Sequence, residues 1–389
     1  MTTRKFLTRN IWILSLVSLF TDIASEMLYP IMPLYLKSIG FSIIFIGILE
    51  GLAEATAGLS KGYFGNWSDN IGKRLPFIQL GYGLSALAKP LIAIFQYPLW
   101  VFSIRTLDRL GKGVRTGARD ALLSDETTPE FKGRVFGFHR SLDTLGAVLG
   151  PSLALLYLYF YPQQYKSLFF WAFIPGVFAI SLTLLIKEKA AKPSTQTKPA
   201  LLDFIKYWKK SPVKYRQLTS ALLLFTLFNS SDFFLILKIK ESGLSDSTAI
   251  GVYIFYNMVY AIASYPMGIW ADKWGMKRVY LSGLLMFATV YAGMSFTNDV
   301  RLFFGLFLLY GIYAAATEGV AKAWITNLCD KKDTATAIGT YTAFQSVMTL
   351  VASTLAGIIW ANYGASVTFL LTALIALTVM VYLMFFYKE

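Results

Sequence analysis

One cysteine and one histidine stand in a chain of 389 residues, and only 15% of its residues are charged. The lone Cys329 excludes an intrachain disulfide and leaves no metal-ligand cluster to build. A charged fraction well below the roughly 25% of an ordinary globular domain excludes a soluble enzyme of the usual kind. No catalytic triad, zinc cluster or phosphate-binding loop is legible, so neither an enzyme nor a cofactor is expected. What the chain has instead is apolar surface: 56% hydrophobic and 16% aromatic residues, with a mean hydropathy of +0.53.

That surface is organised in runs of about 18 to 25 residues, the length a helix needs to cross roughly 30 Å of hydrocarbon. Twelve runs are read, near 11–35, 42–64, 76–95, 99–122, 134–158, 167–186, 217–238, 248–270, 279–297, 302–326, 335–360 and 364–386. With the N-terminus inside, the segments on the cytoplasmic side hold 22 Lys and Arg, against 5 in the outer loops. By the positive-inside rule both termini are then cytoplasmic. This asymmetry accounts for most of the net charge of +14, so no nucleic-acid partner is needed. The first apolar run passes through Pro30 and Pro33 with no small-residue cleavage site, so no cleavable signal is expected. The reading is a multi-pass protein of the inner (cytoplasmic) membrane, with the lipid bilayer as a partner.

An internal repeat divides the chain. GYFGNWSDNIGKR after the second run is echoed by YPMGIWADKWGMKR after the eighth. Gly65, Asp69 and Gly72 fall on Gly268, Asp272 and Gly275 at a constant offset of 203, which also places Arg115 on Glu318 and Arg119 on Lys322. Two homologous halves, 1–186 and 217–389, are expected in parallel arrangement. Residues 187–216 are polar, Pro-bearing and basic, with a short apolar face at Leu201, Phe204, Ile205 and Trp208. They read as a linker with an amphipathic helix at the inner membrane surface. In the first loop, Asp69 can cap the following helix or pair with a nearby arginine, while Lys73 and Arg74 meet headgroups.

The G-x3-D-x2-G-[KR]-R element, its echo, the twelve runs and the basic central loop resemble the major facilitator superfamily over essentially the whole chain. The resemblance implies an all-α fold of twelve transmembrane helices in two six-helix bundles. It also implies a central cavity lined mainly by helices 1, 4, 7 and 10, and access alternating between the two sides. Its loops resemble a latch, which gives Gly65, Asp69, Gly72, Arg74, Gly268, Asp272 and Gly275 a conformational role. The first copy departs at Asn70, where a basic residue is usual; Lys273 keeps it in the second.

RTLDRLGKGVRTGARD, within the fourth run, carries five bases and two acids in sixteen residues. At 100° per residue Arg105, Asp108, Arg109, Lys112, Arg115, Arg119 and Asp120 share one arc, and Leu107, Leu110, Val114 and Ala118 lie opposite. An unpaired charge at the bilayer centre costs about 2.5 to 3.5 kcal/mol on insertion scales, so these side chains must face water or one another. Gly111, Gly113 and Gly117 permit close packing or bending of this helix. GKG is not a P-loop, for no glycine stands five residues before Gly111. The spans hold nine bases, with Lys61, Lys89, Arg140 and Lys322 beside the five above. They also hold nine acids: Asp22, Glu26, Glu50, Glu54, Asp108, Asp120, Asp143, Asp232 and Glu318. Such a balance points to a largely self-paired network, concentrated in the first half.

Asp22 and Glu26, and Glu50 and Glu54, are each four apart on one helix face. Two carboxylates so placed in low dielectric resist being ionised together, which is what a proton carrier requires; the alternative is that they only neutralise the bases of the fourth run. His139, four before Asp143, is read as a structural hydrogen-bonding group near the cytoplasmic end rather than a relay. GAVLGP in the fifth run places Gly146, Gly150 and Pro151 in an arrangement similar to the motif of proton-coupled antiporters of the superfamily. The match is partial, since Leu153 and Ala154 stand where a glycine pair would follow, and ordinary small-residue packing is the competing reading. DRLGKGVRTGARDALLSD and GRVFGFHRSLDTLGAVLGP are similar to a bacterial branch of the superfamily. The expectation is a proton-coupled transporter of a small polar or anionic solute, leaning towards export by antiport, with uptake by symport, lipid handling or sensing as alternatives. Arg105, Asp108, Arg109, Lys112, Arg115, Arg119, Asp232, Glu318 and Lys322 are the candidate cavity or substrate-binding residues.

Overall fold

A computed structural model describes residues 7–29, 31, 32, 35, 36, 39–41, 43–188, 199–229, 232–243 and 246–387, with side chains at all of these except 43–48, 50, 51, 233, 236, 240 and 246–250. The described chain is helical from end to end. In order it forms α1 (Arg9–Glu26), α2 (Ile43–Ile71), α3 (Leu75–Ile94), α4 (Pro98–Asp125), α5 (Lys132–Phe160), α6 (Tyr165–Thr183), α7 (Asp203–Lys210), α8 (Val213–Phe228), α9 (Phe233–Glu241), α10 (Asp246–Trp274), α11 (Met276–Phe296), α12 (Val300–Asn327) and α13 (Thr334–Phe385).

Local chemistry sets most boundaries. The Thr8 hydroxyl accepts from Ile11 N–H and starts α1, and Asp299 accepts from Arg301 N–H at 2.7 Å to start α12. Proline in the first turn opens α3 and α4, where a missing N–H costs nothing. Gly72 and Gly275, at φ 69° and 96°, directly follow α2 and α10 and turn the chain where other residues would be strained. Gly364 (φ 84°, ψ 171°) interrupts α13 between the eleventh and twelfth runs.

Two runs read as continuous are not. The first was expected over 11–35, but α1 ends at Glu26 and residues 27–29 form a turn. Tyr29 precedes Pro30 in the sequence, which disfavours helical backbone at that point. The seventh run, 217–238, stops at Phe228, and Asn229 takes extended backbone (φ −84°, ψ 92°) before α9 begins at Phe233. Its sequence there is NSSD, whose short polar side chains compete with helical hydrogen bonds. The offset of 203 maps Glu26, the last residue of α1, onto Asn229, one residue past the end of α8.

The chain forms two compact units. The first comprises Met1–Thr127, Leu142–Lys210 and Asp330–Ala343; the second comprises Thr128–Ser141, Ser211–Cys329 and Phe344–Glu389. In the first, α4 packs between α2 and α3, and α6 against α1 and α3. In the second, α12 packs against both α10 and α11. Among the described residues six helices are long and apolar enough to cross a membrane by length and composition alone. α4 is not one of them, because its charges lower its hydropathy.

Candidate functional site

α4 approaches its neighbours closely because of its glycines. A Cβ at Gly111 would fall 2.6 Å from the Gly81 carbonyl oxygen, and one at Gly113 would overlap Ser60 of α2. This closeness lets the charges of α4 find partners on three helices. Towards α3, Asp108 pairs with Lys89 at 3.7 Å and with Arg105 at 3.4 Å. Lys89 donates to the Ser85 carbonyl at 3.0 Å, and Ser85 Oγ donates to the Asp108 carbonyl at 3.1 Å. Arg115 donates to Ser85 Oγ at 2.7 Å and lies 4.5 Å above the Tyr82 ring. Towards α1, Arg119 pairs with the fully buried Asp120 at 2.9 Å and donates to Ser18 Oγ at 3.2 Å; Ser18 in turn donates to Asp143 of α5. Towards α2, Arg109 reaches Glu54 at 3.7 Å.

The single charged arc expected of α4 is therefore shared out. Asp108, Arg115 and Arg119 are held by contacts to other helices, Arg105 and Asp120 pair with Asp108 and Arg119 along α4, and Lys112 and Arg109 remain nearest to open space. Lys112 is exposed, as is Glu54, while Arg109, Asp22 and Glu26 are half-buried. Lys112 is an electrostatic neighbour of Asp22, Glu26 and Glu54, and Arg109 of Glu26 and Glu54. Asp22 also lies against Asp143. α1, α2, α4 and α5 thus bring two bases and four carboxyls together. The side chain of Glu50 lies outside the described residues. Arg109 pairs with Glu54 of α2 and has Glu26 of α1 as an electrostatic neighbour.

The helix-5 glycines serve this same place. A Cβ at Gly146 would fall 2.8 Å from Asp22 Cβ, and one at Gly150 would fall 2.7 Å from Met27 N. These glycines let α5 pack closely on α1, and Pro151 lies within the helix just after Gly150.

The two loop motifs act as helix caps. Asp69, buried with Arg74 as its ion-pair partner, accepts from the N–H groups of Ala335 and Thr336 and from the Thr336 hydroxyl at 2.6 Å. It caps the start of α13 rather than α3. The α3 terminus is capped by Glu188, which accepts from Arg74 and Leu75 N–H. Asp272 accepts from Gly133 N–H at 2.7 Å and Arg134 N–H at 2.9 Å, capping α5. Each motif aspartate thus neutralises the positive end of a helix drawn from the other sequence half. Gly65 and Gly268 make room for this, their Cα atoms lying against the backbone at Ala335 and Gly133.

The second unit has a different interior. Asp232, between α8 and α9, accepts from the Tyr310 hydroxyl at 2.6 Å, and Asn229 donates to Tyr313 Oη at 3.2 Å. The rings of Tyr256, Tyr310 and Tyr313 follow one another at 5.0 and 5.3 Å. Glu318 is exposed and pairs with Arg140 at 3.4 Å; Arg140 also donates to the Tyr260 hydroxyl. Lys322 is half-buried on α12, and His139 is buried on α5. The tyrosines, like Ser18, Tyr82 and Ser85, were not singled out from sequence. Their only signal was helical spacing, as at Tyr253, Tyr256 and Tyr260, which packing alone also produces.

Long apolar helices that carry ion pairs and exposed charges within their length define a multi-pass membrane transport protein. Comparison with known proteins agrees. The family model of the Major Facilitator Superfamily matches residues 14–258 and 233–389. An uncharacterized MFS-type transporter of Methanocaldococcus jannaschii is 31% identical over 377 residues, covering 95% of this chain and 93% of that protein. The quinolone resistance protein NorA of Staphylococcus aureus is 23% identical over 188 residues, 46% of each chain. The crystal structure of the human organic anion transporter MFSD10 (TETRAN) superposes with a TM-score of 0.82 at 14% identity, covering 96% of this chain and 98% of that one. The chain belongs to the major facilitator superfamily, and its fold is that of the family, all-α with twelve membrane-spanning helices.

Proposed function

We propose that this transporter moves a small anionic or polar solute in exchange for protons, exporting it across the cytoplasmic membrane as a monomer with both termini inside. The halves 1–186 and 217–389 are its two repeats. The observation that carries the reading is the cluster of Arg109 and Lys112 with Asp22, Glu26 and Glu54. A lysine exposed in the middle of a spanning helix can face only a wet cavity. There it offers an anion a charge-assisted contact. The carboxyls crowded around it resist common ionisation, so one of them can take up a proton as the anion leaves. Asp22 and Glu26 are the carriers in this reading. The NorA match, a resistance protein, supports export over uptake. The partial helix-5 motif leans the same way, although here its glycines are also packing residues.

The test is reconstitution in vesicles with an internal pH dye, screened against a panel of anionic and polar solutes. Arg109→Gln is expected to abolish transport while inserting normally. Asp22→Asn and Glu26→Gln are expected to lose solute-driven proton flux while keeping solute exchange. Wild-type flux in both acid variants between about pH 5.5 and 8, the range in which carriers of this type must titrate, would make these acids structural counter-ions.

A further inference from the structure

The linker helix α7 is held in an unusual place. Phe204 is 2% exposed, its ring fills the notch above Gly62 of α2, and its carbonyl accepts from the Thr340 hydroxyl of α13 at 3.1 Å. Tyr207 is buried beside it. These docking points are not at the helix ends. Gly62 lies nine residues before the end of α2 at Ile71, and Thr340 six residues after the start of α13 at Thr334. At 1.5 Å per residue that is about 14 Å and about 9 Å inward. Gly62 and Thr340 also fall within the apolar runs 42–64 and 335–360. A helix resting there lies at the level of the headgroups and the hydrocarbon edge, where the interfacial layer is about 5 to 8 Å thick.

Its outer side suits that level. Leu201, Leu202 and Ile205 are 61%, 52% and 40% exposed, and Lys206, Lys209 and Lys210 stand exposed among them. Among the described residues, Asp203 lies 2.6 Å from Lys206, and Asp333 is an electrostatic neighbour of Lys210. Three lysines face two carboxylates here, so the surface of α7 stays net positive. Leucine and isoleucine left bare by the protein, interleaved with lysines, match an anionic lipid surface.

We propose that α7 is a lipid-reading clamp: anionic phospholipid headgroups bind Lys206, Lys209 and Lys210 while Leu201, Leu202 and Ile205 enter the hydrocarbon edge, and this pins Phe204 into the notch formed by α2 and the first turns of α13. The clamp ties membrane charge to the hold on residues 330–343, the segment that Asp69 also caps. It does not depend on the solute or on proton coupling.

The test needs no substrate. The full-length Cys329→Ser, Ile205→Cys variant carries a nitroxide at position 205. It is placed in nanodiscs of phosphatidylcholine, or of equal parts phosphatidylcholine and phosphatidylglycerol. Collision with oxygen, which partitions into lipid, is compared with collision with a water-soluble nickel chelate. The oxygen-to-nickel ratio is expected to be several-fold higher in the anionic discs, since each lysine near such a surface favours binding about fivefold. Adding Lys206→Gln, Lys209→Gln and Lys210→Gln should remove the difference. If that variant does not fold, raising the salt to about 1 M, where screening acts within roughly 3 Å, should remove it in the lysine-bearing protein. Equal ratios in both discs, or a response that survives both neutralisation and salt, overturn the proposal. Loss of proton flux in the vesicle assay would leave it standing.

Discussion

The two compact units answer the same problem, polar chemistry inside a membrane, with different materials. In the first, Lys89, Arg105 and Asp108 form an ion cluster between α3 and α4. The repeat offset maps these three onto Ala292, Leu308 and Gly311 of the second unit. There the interior is built from Phe225, Phe287, Tyr291, Tyr310 and Tyr313, with ring centroids between 4.1 and 6.4 Å for the contacting pairs. At these aligned positions the first unit joins its helices with ions, the second with aromatic packing and tyrosine hydroxyls. In the ionic cluster a buried pair that loses one partner leaves a costly charge behind. The aromatic half changes only through repacking.

The largest effect that could break the comparison is at Asp108. Lys89 and Arg105 are both buried and share this carboxylate. Asp108→Asn should cost on the order of 3 to 5 kcal/mol, the range for stranding a buried charge. The measurement is thermal unfolding of the detergent-purified protein followed by size exclusion. A midpoint close to wild type would mean that the cluster is not what holds α3 to α4.

A smaller loss is expected at Tyr310, the hydroxyl that serves Asp232 in the second unit. Tyr310→Phe keeps the ring stack and removes one donor from a carboxyl that also has Tyr256 as a partner. About 1 to 3 kcal/mol is the range for a buried acceptor deprived of a donor. A loss equal to that of Asp108→Asn would show the second unit to be as dependent on Asp232 as the first is on its cluster.

Much of this was legible beforehand. The apolar runs placed the spans, and the repeat offset paired Asp69 with Asp272, because period and spacing are properties of one chain direction. The partners of α4 were not legible. Which of Asp22, Glu54 or Ser18 meets which arginine depends on helix rotation and on glycine-permitted approach, and neither has a sequence period. The cap roles were half legible: Asp69 was expected to pair with an arginine and does so with Arg74, but the helix it caps comes from 266 residues further on. The break at Asn229 was hidden because NSSD sits inside an otherwise apolar run, where a window average does not register four residues.

The smallest effect, and the sharpest test of the contrast, is at Glu318. It occupies the repeat position of Arg115, which is buried and bound to Ser85 and the Tyr82 ring. Glu318 is exposed, and its ion pair with Arg140 spans 3.4 Å in contact with solvent. Exposed pairs contribute about 0 to 1 kcal/mol, because water screens them and two long side chains lose freedom in forming them. Arg140 also keeps its hydrogen bond to the Tyr260 hydroxyl and its place 5.1 Å above that ring when Glu318 is neutralised. Glu318→Gln should therefore leave the unfolding midpoint nearly unchanged, whereas Arg115→Gln, which empties a buried partner of Ser85, should lower it clearly. Equal shifts for the two substitutions would mean that the repeats hold this position by the same means, and the contrast between an ionic and an aromatic unit would fail where the offset aligns them most directly.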